Sequence, residues 1–230
     1  MASDLTVRRV DFGYFIRPGS ETATGRARAE PCLGYVVAGG DGVVLVDTGM
    51  GAHPDVDAHY PPRRRGLAEA LATVDVGLPE VRQVVNCHLH FDHCGGNSQV
   101  PGRPIFTQRV ELQAARASEY TLPDLVDAPG LTYEVLDGEC EIADGVLVVP
   151  TPGHTAGHQS VVVRRRDGTV IVAGQSHDTA TAFGADLLAG QATAEGHATD
   201  LPDVPAWMER LRALDPRRVV FAHDHAVWEP

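Results

Sequence analysis

The chain has 230 residues and a formal charge of −12, and all 19 of its basic residues are arginine. With no lysine it cannot form a Schiff base or a P-loop, and its acidic balance argues against nucleic acid, whose phosphates need a basic face. No apolar stretch approaches the ~18 residues of a membrane span, the N-terminus lacks a secretory pattern, and four cysteines without a tight framework suit a reducing cytoplasm.

In chain order, short apolar runs bounded by Gly, Pro or Asp predict strands at Leu33 to Val37, Val43 to Val46, Val84 to Val85, Gly145 to Val149, Ser160 to Val163, Thr169 to Ala173 and Val219 to Phe221. Gly39-Gly40-Asp41-Gly42 and Asp167-Gly168 read as hairpin turns. Helical spacing predicts helices over Arg65 to Val74, Arg109 to Ser118 and Pro205 to Leu214, the last with Pro202 and Pro205 at its start. Residues 50–64 and 176–204 read as long connections, which often wall or cover a site. The length suits a single domain over 1–230, and the mixture of hairpins and helices predicts layered sheets covered by helices, an α/β (α+β) sandwich.

Eleven histidines are the unusual feature of the composition, and they are clustered. Cys87-His88-Leu89-His90-Phe91-Asp92-His93-Cys94-Gly95-Gly96 follows a predicted strand and packs three imidazoles and a carboxylate into six positions. Neutral imidazole nitrogens bind Zn²⁺ at about 2.0–2.1 Å, and a carboxylate compensates its charge. In an extended segment His88 and His90 point the same way, while Asp92 and His93 turn toward a neighbouring position. One loop can therefore serve two adjacent metals. Two further strand ends carry histidine: His154 in Thr151-Pro152-Gly153-His154, and His223 after Val219 to Phe221.

These motifs resemble the metallo-β-lactamase fold superfamily of metallohydrolases, over roughly residues 30–225. The resemblance is carried by His88, His90, Asp92 and His93, by the later His154 and His223, and by Asp47-Thr48-Gly49. Within that superfamily VVLVDTGM, HLHFDHCGGN and TPGHTAGHQS are most similar to the N-acyl homoserine lactonases, as is the stretch with Gln108 and Glu111. The resemblance implies a four-layer αβ/βα sandwich with the metal site where strand ends meet. It implies one metal on His88, His90 and His154 and another on Asp92, His93 and His223, with Asp47 orienting a ligand. Zn²⁺ is expected, one or two per chain, with iron or manganese as substitutes. The expected partner is a small lactone or ester, attacked by metal-bound hydroxide, with Asp92 passing the proton to the leaving alkoxide. A nucleic-acid or membrane partner is not expected. Other ester-bond hydrolases of the fold, acting on thioesters or aryl esters, and a degenerate metal-binding member are the alternatives.

Two positions depart from the lactonase pattern. The bridging Asp is replaced by Gln175, a neutral and weak ligand, and the Tyr three positions later is Asp178. Asp178 is a candidate replacement carboxylate and catalytic group. His177 and Tyr60 are candidate substrate contacts, with Tyr120 as another tyrosine for the missing one, and Asp224 is a candidate partner orienting His223. His158 is expected to be structural.

Overall fold

The computed structural model describes all residues except 1–3, 23, 41, 118–120, 198–200 and 202. The strands of the N-terminal half are β1 (Thr6–Arg17), β2 (Arg28–Gly39), β3 (Gly42–Val46), β4 (Arg63–Arg64), β5 (Val81–Val85), β6 (Pro104–Gln108) and β7 (Thr132–Leu136). Then come β8 (Cys140–Ala143), β9 (Val146–Pro150), β10 (Gln159–Arg165), β11 (Gly168–Val172) and β12 (Pro216–Val220). The α-helices are α1 (Pro54–His59), α2 (Leu67–Ala72), α3 (Phe91–Cys94), α4 (Arg109–Ala117), α5 (Pro123–Val126), α6 (Ala180–Ala194) and α7 (Ala206–Arg212). One sheet has the order β4-β1-β2-β3-β5-β6-β7 and the other β12-β11-β10-β9-β8. Among the described residues no helix is long and apolar enough to cross a membrane.

The layers follow from strand periodicity. In β2, Leu33, Tyr35 and Val37 join Val44, Val46 and Val85 against Val146, Val148, Val161 and Val163 of the second sheet. The opposite face of β2, with Cys32 and Val36, packs on Leu67, Ala70 and Leu71 of α2. The outer face of the second sheet, with Leu147, Val149, Val162 and Ile171, packs on Phe183 of α6 and on Met208 and Leu211 of α7. Central strands are covered on both faces, which is why they read as unbroken apolar runs. Each such side chain stabilises the fold by about 1.5–3 kcal/mol.

Several elements differ from the sequence expectation. β1 was not foreseen, because its alternation is interrupted: the β1–β2 register shifts between Asp11 and Tyr14, at Gly13 with φ +104°. The connection over 176–204 contains the fifteen-residue helix α6, whose buried residues are just Ala180 and Phe183, too few for an apolar stripe. The 50–64 connection contains α1 and the short β4. β10 and β11 extend to the pair Arg165 and Gly168, so the tight turn is Arg166-Asp167 rather than Asp167-Gly168. Asp41, Ser118, Tyr120 and Pro202 lie outside the described residues.

Candidate metal centre

The ends of β3, β5, β9, β11 and β12 deliver Asp47, His88–His93, His154, Gln175 and His223 to one edge of the molecule. The 47–51 segment fixes the histidine loop: Thr48 N donates to His93 O at 2.8 Å, Gly51 N to Phe91 O at 2.7 Å and Gly95 N to Gly49 O at 3.0 Å. The approach is so close that a Cβ on Gly95 would sit 1.7 Å from Gly51 N. Glu111, fully buried, ties this loop to the His154 loop by accepting from Leu89 N at 2.7 Å and from Thr155 Oγ1 at 2.7 Å.

Two sets of potential ligand atoms converge, each within 4.8 Å: His88 with His90 and His154, and Asp92 with His93 and His223. In the first, His88 Nε2 is 3.0 Å and His154 Nε2 is 3.2 Å from His90 Nδ1. Burial, reinforced by the neighbouring imidazoles, pushes His154 down to about 3 and His88 well below its ordinary value. Burial also pushes His90 down to about 4, against the pull of Asp92. Each neutral ring has one nitrogen with a lone pair for a cation.

The second set is more constrained. Asp47 Oδ2 accepts from His93 Nδ1 at 2.8 Å, and its Oδ1 accepts from Cys87 N at 2.8 Å. Pro31 O accepts from His223 Nδ1 at 2.8 Å. A carbonyl and a carboxylate can only accept, so in the neutral rings both Nε2 atoms carry lone pairs. Those atoms face each other at 3.3 Å, with Asp92 Oδ2 at 3.5 and 3.3 Å from them. Three converging acceptors demand a positive charge between them. Burial opposes charging His93, yet Asp47 and Asp92 push it up to about 9. Burial would raise Asp92, but His93 and His223 hold its carboxyl below the usual range. A divalent cation fits this donor set as well as that of the three histidines.

Residues 27–223 match the family model described as the metallo-beta-lactamase superfamily. The chain belongs to this superfamily. An N-acyl homoserine lactonase of Bacillus sp is 32% identical over 159 residues, 62% of this chain and 62% of that relative, so the match spans less than two thirds of that protein. The N-acyl homoserine lactonase AttM of Rhizobium johnstonii is 27% identical over 214 residues, 85% of this chain and 79% of that protein. A solved N-acyl homoserine lactone hydrolase, with the product N-hexanoyl-L-homoserine at its catalytic metal centre, superposes with a TM-score of 0.77 at 24% identity. That likeness covers 98% of this chain and 95% of the other, and it shows a shared metallo-beta-lactamase fold.

Within this metallo-beta-lactamase framework Gln175 is buried, with its carboxamide oxygen 3.2 Å from His223 Nε2 and its backbone N donating to His158 Nε2 at 3.0 Å. His158 is buried and bonded to Thr151, a structural position. Three other candidate residues have partners outside the two ligand groups. Asp178 belongs to neither ligand group: its carboxylate accepts from Arg28 Nη2 at 2.9 Å, because β2 presents that guanidinium beside it. His177 pairs with Asp186 at 3.1 Å and packs edge-on against Phe183 and Trp207, and it is absent from the lining of the pocket over the ligand groups. Asp224 accepts from Ala180 N at 2.9 Å and Ala226 N at 2.9 Å, holding the start of α6, and leaves the orientation of His223 to Pro31 O.

A pocket of about 270 Å³ lies over both groups, lined by His90, Asp92, His154 and Gln175 with Phe15, Tyr60 and Phe91. Tyr60 stacks on Phe91 with centroids 5.1 Å apart, and its hydroxyl donates to Glu21 at 3.0 Å. Phe15 and Arg17 of this lining lie on β1, a strand that was not foreseen. Glu111 was legible as an acid at the head of a helix beyond an apolar strand, but its role in joining two loops was not.

Proposed function

We propose that the protein is a metal-dependent hydrolase that opens lactones, N-acyl homoserine lactones first among them. The observation that carries this is the pair of adjacent ligand groups at the floor of one apolar-walled pocket. The lactonase names of the relatives support the choice of ester. His88, His90 and His154 would hold one cation, and Asp92, His93 and His223 the other. Zinc is the ion best suited to such nitrogen and oxygen donors, and Gln175 would lie beside the second ion. When bound, the metal supplies Lewis-acid polarisation of the carbonyl and a water acidic enough to attack it at neutral pH.

The chain's own residues do the rest. Asp47 and Pro31 O hold His93 and His223 in the tautomer that presents Nε2. Phe15, Tyr60 and Phe91 wall the pocket against water and offer an apolar surface to an acyl chain. The Asp92 carboxylate is placed to take a proton and return it to the alkoxide oxygen that leaves when the ring C–O bond breaks. The four free thiols suit a reducing compartment, so we place the reaction in the cytoplasm and treat residues 1–230 as one catalytic domain.

The test is lactone opening followed by proton release at constant pH, before and after chelation. Activity that disappears with the metal and returns on adding Zn²⁺ is the expected result. Equal rates with and without metal would overturn the proposal. A neutral Gln175 where a carboxylate would hold two cations together favours a second reading, a degenerate member that binds metal without turnover. Metal binding with no rate on matched lactone, thioester and aryl-ester substrates would favour that reading.

A further inference from the structure

Beyond the metal ligands, the pocket lining carries two polar groups with unused hydrogen-bonding capacity. Arg17 is the one cationic side chain among the described lining residues. Its Nε donates to Glu30 Oε1 at 2.7 Å, and its Nη1 lies 3.6 Å from Glu21 Oε2. Glu30 is 2% exposed and also accepts from Arg28, so the base of the guanidinium is held firmly. Among the described residues Nη2 donates no hydrogen bond. On the same lining, Thr121 Oγ1 is buried without a partner. Around them the wall is apolar or aromatic, with Phe15, Val56, Tyr60 and Leu122.

We propose that Arg17 and Thr121 read an amide beside the lactone ring, Arg17 Nη2 donating to its carbonyl oxygen and Thr121 Oγ1 accepting from its N–H. The proposal rests on the lactonase reading and names the part of the substrate that the metals do not touch. Two features favour a neutral amide over an anion. Glu30 and Glu21 already offset the charge of Arg17, and a donor and an unpartnered acceptor on one lining match the two ends of an amide, not a carboxylate. A rigid planar fork that spends one edge on Glu30 and offers another to a ligand is a use that lysine cannot reproduce.

The experiment compares kcat/KM for N-hexanoyl homoserine lactone with that for a γ-butyrolactone bearing an alkyl chain of equal length at the same ring carbon. The zinc-loaded parent, Arg17→Lys, Arg17→Gln and Thr121→Val are each measured. Arg17→Lys keeps a cation for buried Glu30, so it retains the fold, but an ammonium bonded there has no second nitrogen for the ligand. In both Arg17 variants the preference for the amide substrate is expected to fall about tenfold or more, mostly in KM, with a smaller fall for Thr121→Val. Calorimetric affinity for the ring-opened N-hexanoyl-homoserine falls in parallel. A merely structural role would slow both substrates equally, so a preference unchanged within about twofold in folded Arg17 variants would overturn the proposal. If the parent opens neither lactone, the lactonase reading fails. The calorimetric comparison then still decides the amide site: weaker binding in the variants supports it, and equal or absent binding overturns it.

Discussion

His90 and His154 are partly exposed and reach the pocket beside His88, whereas Asp92, His93 and His223 are all buried. In the buried group each histidine has its remote nitrogen tied to a fixed acceptor, and a carboxylate sits between the rings. In the open group burial and the neighbouring imidazoles favour the neutral His88 ring, whose Nδ1 has no hydrogen-bond partner among the described residues. The contrast shows two ways to prepare a cation site. One is built in advance, with charge and orientation supplied by the protein. The other offers neutral nitrogens beside the substrate and leaves room for ligands to move.

The largest effect is expected where the buried group loses its cationic partner. His93→Ala leaves Asp47 and Asp92 buried and uncompensated, and should cost about 3–5 kcal/mol of metal-free stability in denaturant titrations. His154→Ala, at the exposed end, should cost no more than about 1 kcal/mol while still removing one metal equivalent. Equal losses in the two variants would erase the distinction between the groups.

Next in size is Asp47→Asn. Asp47 has φ +62°, a left-handed conformation that Asn also tolerates, so the fold should survive. Metal affinity of the second group should fall about 10–100-fold while the first is unaffected, as read by competition with a chromophoric chelator. Gln175→Asp should act in the opposite direction, raising the fraction of chains that keep two metals on dialysis. No gain in metal content would show that the second cation does not depend on this position.

Smaller effects are expected at residues that hold the surroundings of the ligand groups. Asp224→Ala removes the acceptor for Ala180 N and should cost about 1 kcal/mol without changing metal content. Tyr60 gives a pH signature. Burial first, and then Glu21, push its hydroxyl up to about 12 from its ordinary value of 10. Its folded pKa is raised, so its contribution is complete below about pH 10 and is lost as pH rises toward 12. Tyr60→Phe should therefore lose less thermal stability than the parent between those two pH values.

The metal-binding loop was legible because its chemistry is local: His88, His90, Asp92 and His93 lie in one short segment after a strand. His154 and His223 were legible because apolar runs placed each at a strand end. The partners of Asp178, His177 and Asp224 were not legible, because proximity in sequence to a ligand says nothing about competing partners. Arg28 and the N–H of Ala180 come from distant segments, and Asp186 and the N–H of Ala226, though near in sequence, become partners only through the local fold. Arg17 was invisible for a related reason, since the bulge at Gly13 hides the strand that carries it.

By itself the sequence determined the donor types, their spacing, and the layered strands and helices behind them, because periodicity and metal preference are written in neighbouring residues. Only the tertiary structure decided that one of the two donor groups is open and the other buried. It also decided which acceptors set their tautomers and which side chains finish the pocket wall. Those outcomes depend on strands far apart in the chain meeting at one edge, and on which partner wins each hydrogen bond there.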